Sequence, residues 1–102
     1  MSYLAIVDLG SNSARMVVER LNNDGTYTEI IREKEDTRIA QNMGPERVLK
    51  EVPIARTIAA LKYFQSQYSD FEPTVRAITT AAVRVARNQT QFLTRVKNET
   101  GI

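Results

Sequence analysis

Three features of the sequence predict an α/β domain in which two helices pack on one sheet, with the element order βββαβα. Three strand-like segments come first, the hydrophobic period then changes from that of a strand to that of a helix, and one further strand-like segment separates two helical ones. The 102 residues suffice for one small domain, and a hydrophobic fraction of 42% is typical of a globular protein.

The first third of the chain predicts an antiparallel three-stranded meander. Residues 3–9 are almost continuously apolar, which indicates a strand buried on both faces. Turn-forming residues separate it from a second strand over 14–21, and Asp24-Gly25 is a strong hairpin signal before a third strand over 26–34. Alternation in the third strand predicts one face formed by Tyr27, Glu29, Ile31 and Glu33.

Helical spacing begins near Pro53, a residue suited to a first helical turn. Spacings of three and four residues then predict one apolar stripe of a long helix, formed by Ile54, Ile58, Leu61, Phe64 and Tyr68. A short strand is predicted over 74–79, followed by a helical turn that Thr80 would cap. Asn88 and Gln91 predict a capping box for a last helix, which Gly101 would end.

The composition excludes several chemistries. The chain has no cysteine and no histidine, so a disulfide, a His–Cys zinc site and a Ser–His triad are excluded within it. The net charge of +2 provides no uniform field for nucleic acid, and no aromatic platform is interleaved with the arginines that follow Thr74. No leader pattern and no run of about 20 apolar residues occurs. We therefore expect a cytoplasmic protein with no membrane and no nucleic-acid partner.

The first candidate site lies where the first strand ends. An aspartate such as Asp8 is costly to bury unless it meets a metal-bound water or a hydrogen-bond donor. Gly10 permits a tight turn and a close approach of the backbone to a ligand. Hydroxyl, amide and backbone N–H donors follow at Ser11, Asn12 and Ser13. Such donors can hold an anion, and the alternative is an ordinary polar hairpin turn.

A threonine and three arginines form a second group of candidates. Thr80 and Arg84 stand at the end of a predicted strand and the start of a helix, the usual ligand side of an α/β sheet. Arg15 follows the first loop closely, and Arg38 is a further cation suited to phosphate. For Thr80 and Arg84 alone, a capping threonine and a solvated arginine are the favoured interpretation. For Arg15 and Arg38 alone, a salt bridge explains the pattern equally well. Only in combination do these residues indicate a phosphate-binding site.

That combination resembles the N-terminal part of the exopolyphosphatase and guanosine pentaphosphate phosphatase family. The matching segments cover nearly all of the chain in order: 5–13 with the strongest motif, Arg15, Arg38, 60–64, 76–84 and 86–92. The resemblance implies an actin-like, ribonuclease H-like fold with two similar domains around a cleft. Residues 1–102 would form an incomplete half of it, the N-terminal portion of the first domain.

The resemblance implies hydrolysis of a terminal phosphoanhydride in inorganic polyphosphate or guanosine pentaphosphate, the nucleotide related to guanosine tetraphosphate. Mg²⁺ would be the cofactor, with Asp8 positioning the ion or its waters. A carboxylate would activate the attacking water while cations neutralise the developing charge. The phosphate-binding residues implied are Gly10, Ser11, Asn12, Ser13, Arg15, Arg38, Thr80 and Arg84.

The chain departs from the family pattern at two places. Family members usually carry Arg-Leu-Gly-Glu-Gly where this chain has residues 38–42 as Arg-Ile-Ala-Gln-Asn, and Thr-Ser-Ala where it has Thr80-Ala81-Ala82. No carboxylate matches the family's catalytic Glu, which we expect beyond Ile102. We therefore expect no catalytic residue within this chain and no hydrolysis by these 102 residues alone.

Two other functions stay open. A non-catalytic anion-binding or assembly module of the same fold is the main alternative, and the missing carboxylate favours it. A sugar kinase of the same superfamily is less well supported, because such proteins usually carry threonine where Ser11-Asn12-Ser13 stands. An exposed edge of the sheet would also permit a homodimer.

Overall fold

The computed structural model describes residues 2–102, and it confirms the predicted βββαβα order with a short helical turn before the last helix. In chain order the elements are β1 (Ser2–Leu9), β2 (Ser13–Leu21), β3 (Tyr27–Asp36), α1 (Glu51–Tyr68), β4 (Thr74–Thr79), α2 (Ala81–Arg84) and α3 (Gln89–Thr100). A 3-10 turn, Ser69–Phe71, connects α1 to β4.

The sheet has the strand order β3-β2-β1-β4, and its topology determines which loops meet. β1, β2 and β3 form the predicted antiparallel meander, whereas β4 pairs parallel to β1 after the crossover through α1. Leu9 at the end of β1 is in register with Thr79 at the end of β4. The loop that follows β1 and the turn that follows β4 therefore lie side by side.

The hydrophobic core lies between the helices and one face of the sheet. All five residues of the predicted α1 stripe are buried, as are alternate residues of the two central strands: Ala5, Val7, Leu9, Ala14, Met16 and Val18. Phe92 and Val96 of α3 also belong to this core. Within residues 2–102, no helix has the length and apolarity needed to span a membrane.

The prediction that β1 is buried on both faces is wrong. Its core-facing residues are buried, but Leu4 and Ile6 on the opposite face are half-buried and Asp8 is exposed. The described helices all pack on the other side of the sheet. A continuous apolar run is typical of a strand covered on both sides, and here only one cover is present.

The predicted face of β3 is also wrong, because a β-bulge interrupts the alternation. Val18 is in register with Ile31 but Glu19 with Glu29, so Ile30 is an extra residue in the ladder. Directly paired side chains share a face, which places Tyr27 and Glu29 on the outer face. Ile31 and Glu33, beyond the bulge, lie on the helix side.

Candidate functional site

The loop between β1 and β2 is a tight turn closed by its own backbone. The Gly10 N–H donates to the Ser13 carbonyl over 3.0 Å. A Cβ at Gly10 would lie 2.9 Å from that carbonyl oxygen, closer than carbon and oxygen normally approach. Only glycine fits this turn without displacing Ser13, and the exposed polar residues Ser11 and Asn12 are thereby held at its tip.

Six of the predicted site residues line one cleft. A cavity of about 230 Å³ is bounded by Asp8, Gly10, Ser11, Asn12, Ser13 and Arg15. Asp8 and Arg15 are directly opposite each other in the β1–β2 register, on the face away from the helices. Both are exposed, so the premise that Asp8 is buried is wrong and its carboxylate is open to a ligand. Neither residue takes part in an ion pair within the described chain.

Thr80 joins the turn after β4 to this loop. Its hydroxyl lies 2.8 Å from the Ser11 hydroxyl, and its backbone N–H donates to the Leu9 carbonyl over 2.7 Å. Thr80 does occupy the position before α2, but its side chain makes no capping hydrogen bond. The predicted capping function is therefore wrong, because the hydroxyl bonds to Ser11 instead.

Arg84 and Arg38 lie near the cleft without lining it. The Arg84 guanidinium donates to the carbonyl of Thr79, at the end of β4. The Arg38 N–H donates to the Asn12 carbonyl over 3.0 Å, which fixes its backbone beside the loop. Its guanidinium, however, pairs with the carboxylate of Asp36 at 3.0 Å. Arg38 would have to exchange this partner for a phosphate.

Asn88 has a function that the capping-box pattern did not predict. α3 does begin at Gln89, and Gly101 ends it with a φ of 76°, as expected. The Asn88 side chain makes no cap hydrogen bond. Its amide instead accepts from the Leu49 N–H and donates to the Leu49 carbonyl, both at 2.9 Å. This pair of bonds fastens the segment that precedes α1 to the start of α3.

Asp8 is the one acidic residue of the described chain that lines the cleft. No group of three or more metal-binding side chains of the usual acidic, histidine or cysteine types occurs among residues 2–102. Mg²⁺ nevertheless commonly uses one or two carboxylates and keeps several waters and substrate phosphates as ligands. The exposed carboxylate of Asp8, with the hydroxyl and amide oxygens of the adjoining loop, fits that partial donor set.

Comparison with known proteins relates this geometry to one family. Residues 17–102 match the Ppx/GppA phosphatase family. A Ppx/GppA family member from Aquifex aeolicus has a crystal structure that superposes with a TM-score of 0.92 at 31% identity, over 99% of this chain and 33% of that protein. An exopolyphosphatase from Cytophaga hutchinsonii has the same fold, with a TM-score of 0.92 at 22% identity, over 99% of this chain and 32% of its own.

A curated relative has a much longer chain. The bifunctional 3-dehydroquinate synthase/phosphatase of Fusobacterium nucleatum is 31% identical over an alignment of 105 residues, which covers 96% of this chain and 16% of that relative. The 102 residues thus span about a third of the solved relatives and a smaller part of this one. The actin-like α/β fold and the family predicted from the motifs are both confirmed. The chain belongs to the Ppx/GppA phosphatase family.

Proposed function

We propose that residues 1–102 form the N-terminal part of a phosphoanhydride hydrolase that releases terminal phosphate from inorganic polyphosphate or guanosine pentaphosphate. The observation that carries this proposal is the cleft of about 230 Å³ in which Asp8, the loop at 10–13 and Arg15 meet. Hydroxyl, amide and backbone donors beside an arginine suit the oxygens of a phosphate. The Ser11–Thr80 hydroxyl pair brings a second segment to the same place.

Each residue group has a distinct proposed role. The loop donors would orient the terminal phosphate, and Arg15 would neutralise charge on its oxygens. Arg84 and Arg38 would contact neighbouring phosphates after leaving their present partners, the Thr79 carbonyl and the Asp36 carboxylate. Thr80 would donate through a hydroxyl that Ser11 already orients. These residues bind and orient the substrate and perform no proton transfer.

Mg²⁺ would be held by Asp8, directly or through its waters, with the remaining ligands from substrate. When bound, it would supply positive charge to the phosphate oxygens. The contribution of this chain is to keep the Asp8 carboxylate opposite Arg15, so that an anion between them meets cations on both sides.

The general base would come from outside these residues. Asp8 is the carboxylate in the cleft, and its proposed role is toward the metal ion. The chain would therefore be one portion of the first actin-like domain in a larger cytoplasmic enzyme, inactive alone.

A homodimer through the free edge of β4 is part of the same proposal.

Phosphate release from long-chain polyphosphate with Mg²⁺ tests this function. We would assay residues 1–102 alone and a chimaera in which they replace the matching third of the Aquifex aeolicus relative. We expect hydrolysis by the chimaera only. In that chimaera, Asp8→Asn should lower turnover by about 100-fold or more while the unfolding free energy changes by less than about 0.5 kcal/mol.

Asp70→Asn serves as the matched control, because Asp70 is an exposed carboxylate in the 3-10 turn at the opposite end of the sheet. Equal losses of turnover in the two variants would contradict the assignment of Asp8. If the chimaera binds polyphosphate with salt-sensitive affinity but does not hydrolyse it, the non-catalytic module replaces the enzyme as the better account.

A further inference from the structure

Arg47 and Arg87 occupy neighbouring backbone positions in the segments that precede α1 and α3. The Arg87 N–H donates to the Arg47 carbonyl over 2.7 Å, so the segments that carry the two residues run side by side. The double hydrogen bond between Asn88 and Leu49 holds the same two segments one and two residues further along. Arg47 itself has a φ of 55°, a conformation that such a fixed setting helps to maintain.

These two arginines are exposed and make no ion pair within residues 2–102. Arg32, Arg38 and Arg95 by contrast each pair with a carboxylate. Glu46, the nearest acid in the sequence, forms no ion pair with either arginine of the pair. Because their backbones are adjacent, the two guanidinium groups can approach a single anion together, and an anion bound between them would offset the repulsion of their like charges.

A short stretch of chain links the pair to the candidate phosphate loop. Ser11 contacts Thr80 at 2.8 Å, Arg84 follows Thr80 by four residues, and Arg87 follows Arg84 by three. A helical turn such as α2 advances about 1.5 Å per residue, so Thr80 to Arg84 spans only about 6 Å. Arg84 and Arg87 thus lie four and seven residues along the chain from the Ser11–Thr80 contact, and the 2.7 Å backbone hydrogen bond places Arg47 beside Arg87.

We propose that Arg47 and Arg87 form a distal subsite for the internal phosphates of a polyphosphate chain whose terminal phosphate occupies the cleft. The inference rests on the proposed function and adds a chain-length preference to it. A linear polyanion repeats its charge along its length and can reach both places at once. A ligand of two or three phosphates fills the cleft without needing this pair.

The test measures binding of long-chain polyphosphate and of tripolyphosphate to the 102-residue chain by calorimetry. The variant is Arg47→Asn with Arg87→Gln, because asparagine tolerates the left-handed backbone of position 47 and glutamine keeps the N–H of position 87. We expect long-chain affinity to fall about three- to tenfold, in the range for two exposed charged contacts, with tripolyphosphate affinity unchanged. Circular dichroism and thermal unfolding verify that the variant folds.

The matched control is Arg76→Gln with Lys97→Gln, which removes the same charge from two exposed residues without an ion pair among those described. An equal loss in the control, or an equal loss for both ligands in the Arg47/Arg87 variant, would overturn the subsite. The subsite would also be overturned if a single-stranded oligonucleotide bound the wild-type chain as tightly as polyphosphate does and lost as much affinity in the Arg47/Arg87 variant. If the wild-type chain binds neither phosphate ligand, the proposed function fails together with this inference. If it binds both and only the variant result disagrees, the inference alone fails.

Discussion

At the scale of single residues, Gly10 sets the shape of the candidate cleft. The Ser13 carbonyl accepts the Gly10 N–H and also occupies the space that a side chain at position 10 would need. The same atom thus closes the turn and requires glycine. Ser11 and Asn12 then stand at the tip, where their side chains and N–H groups are free of the strand ladder.

Gly10→Ala is expected to destabilise the chain by about 1–3 kcal/mol, the usual cost of forcing an extra carbon into a packed space. It should also weaken tripolyphosphate binding, because Ser13 must move to admit the methyl group. Chemical denaturation and calorimetry measure the two effects. Gly25→Ala is the control, since that glycine has a φ of 87° in the distant β2–β3 turn and its change should cost stability without loss of binding at equal folded fraction. Unaltered tripolyphosphate affinity in folded Gly10→Ala would contradict this role.

Asn88 illustrates a contact that local patterns do not reveal. An asparagine that caps a helix and one that bonds a distant backbone look alike in sequence. In the structure the Asn88 amide bonds the Leu49 backbone, a pair of bonds called the clamp below. Asn88→Ser separates the two roles, because serine caps helices well but its single hydroxyl, on a shorter side chain, cannot replace the two amide atoms that bond the Leu49 backbone. We expect a loss of about 1–2 kcal/mol in the free energy of unfolding. Stability unchanged within about 0.3 kcal/mol in urea denaturation would show that the clamp contributes little.

The candidate residues themselves were predictable because most are contiguous in sequence. Asp8 and residues 10–13 form one segment, and strand pairing brings Arg15 opposite Asp8. The two contacts that complete the site's framework join positions 69 and 39 residues apart, Ser11 with Thr80 and Leu49 with Asn88. Such pairings depend on how the crossover packs, and no local period encodes them.

At the scale of elements, an exposed ion-pair network joins α1 to α3. Arg95 bonds Glu51 at 2.8 Å and Glu99 at 3.2 Å, and Lys62 reaches Glu99 at 3.5 Å. The hydrogen bond from Arg95 lowers the pKa of Glu99 below its usual value of 4.5, and Lys62 adds to this effect. The two helices also meet through the Gln65 side chain, which donates to the Thr100 carbonyl, and through buried residues of the core, so the network acts at the rim of their contact.

This network predicts an acid sensitivity of defined sign. Because the pKa of Glu99 is lower in the folded chain than in the unfolded one, its contribution to stability is present above 4.5 and is lost as the pH falls through the folded pKa. Glu99→Gln should therefore show a smaller fall in melting temperature than the wild-type chain between about pH 5 and pH 3. Glu72→Gln removes an exposed glutamate without an ion pair in the described chain and should keep the wild-type slope. Parallel curves for all three proteins would contradict the prediction.

Element types and their order followed from hydrophobic period and turn residues, whereas the faces of two strands did not. The bulge at Ile30 shifts β3 by one position, and a single inserted residue has no signature in an alternating pattern. The prediction that both faces of β1 are buried was wrong for another reason. A continuous apolar strand is typical of a sheet that is covered on both faces. The helices of residues 2–102 cover only one face.

At the scale of the whole molecule, the two edges of the sheet differ in charge. On β3, residues 32–36 are all charged, and Glu33 and Glu35 lie on the helix-facing side, a common protection against edge-to-edge pairing. β4 has one charged residue, Arg76, and its Ile78 is 59% exposed. The apolar edge is therefore the one suited to pairing with a second copy of the chain.

We expect a reversible dimer through antiparallel pairing of two β4 strands. A two-fold axis at Ala77 would place Arg76 of one copy opposite Ile78 of the other, whereas an axis at Arg76 would oppose two guanidinium groups and cost energy. Ile78→Lys should shift the chain to monomer in sedimentation equilibrium, because it opposes lysine to arginine across the pair. Val85→Lys adds the same charge at a residue that is 51% exposed but lies outside the strand, so it should leave the dimer intact. Added salt should strengthen association, since it screens the arginines that approach across the axis. A wild-type chain that stays monomeric at all concentrations would contradict this arrangement, as would equal effects of the two lysine variants.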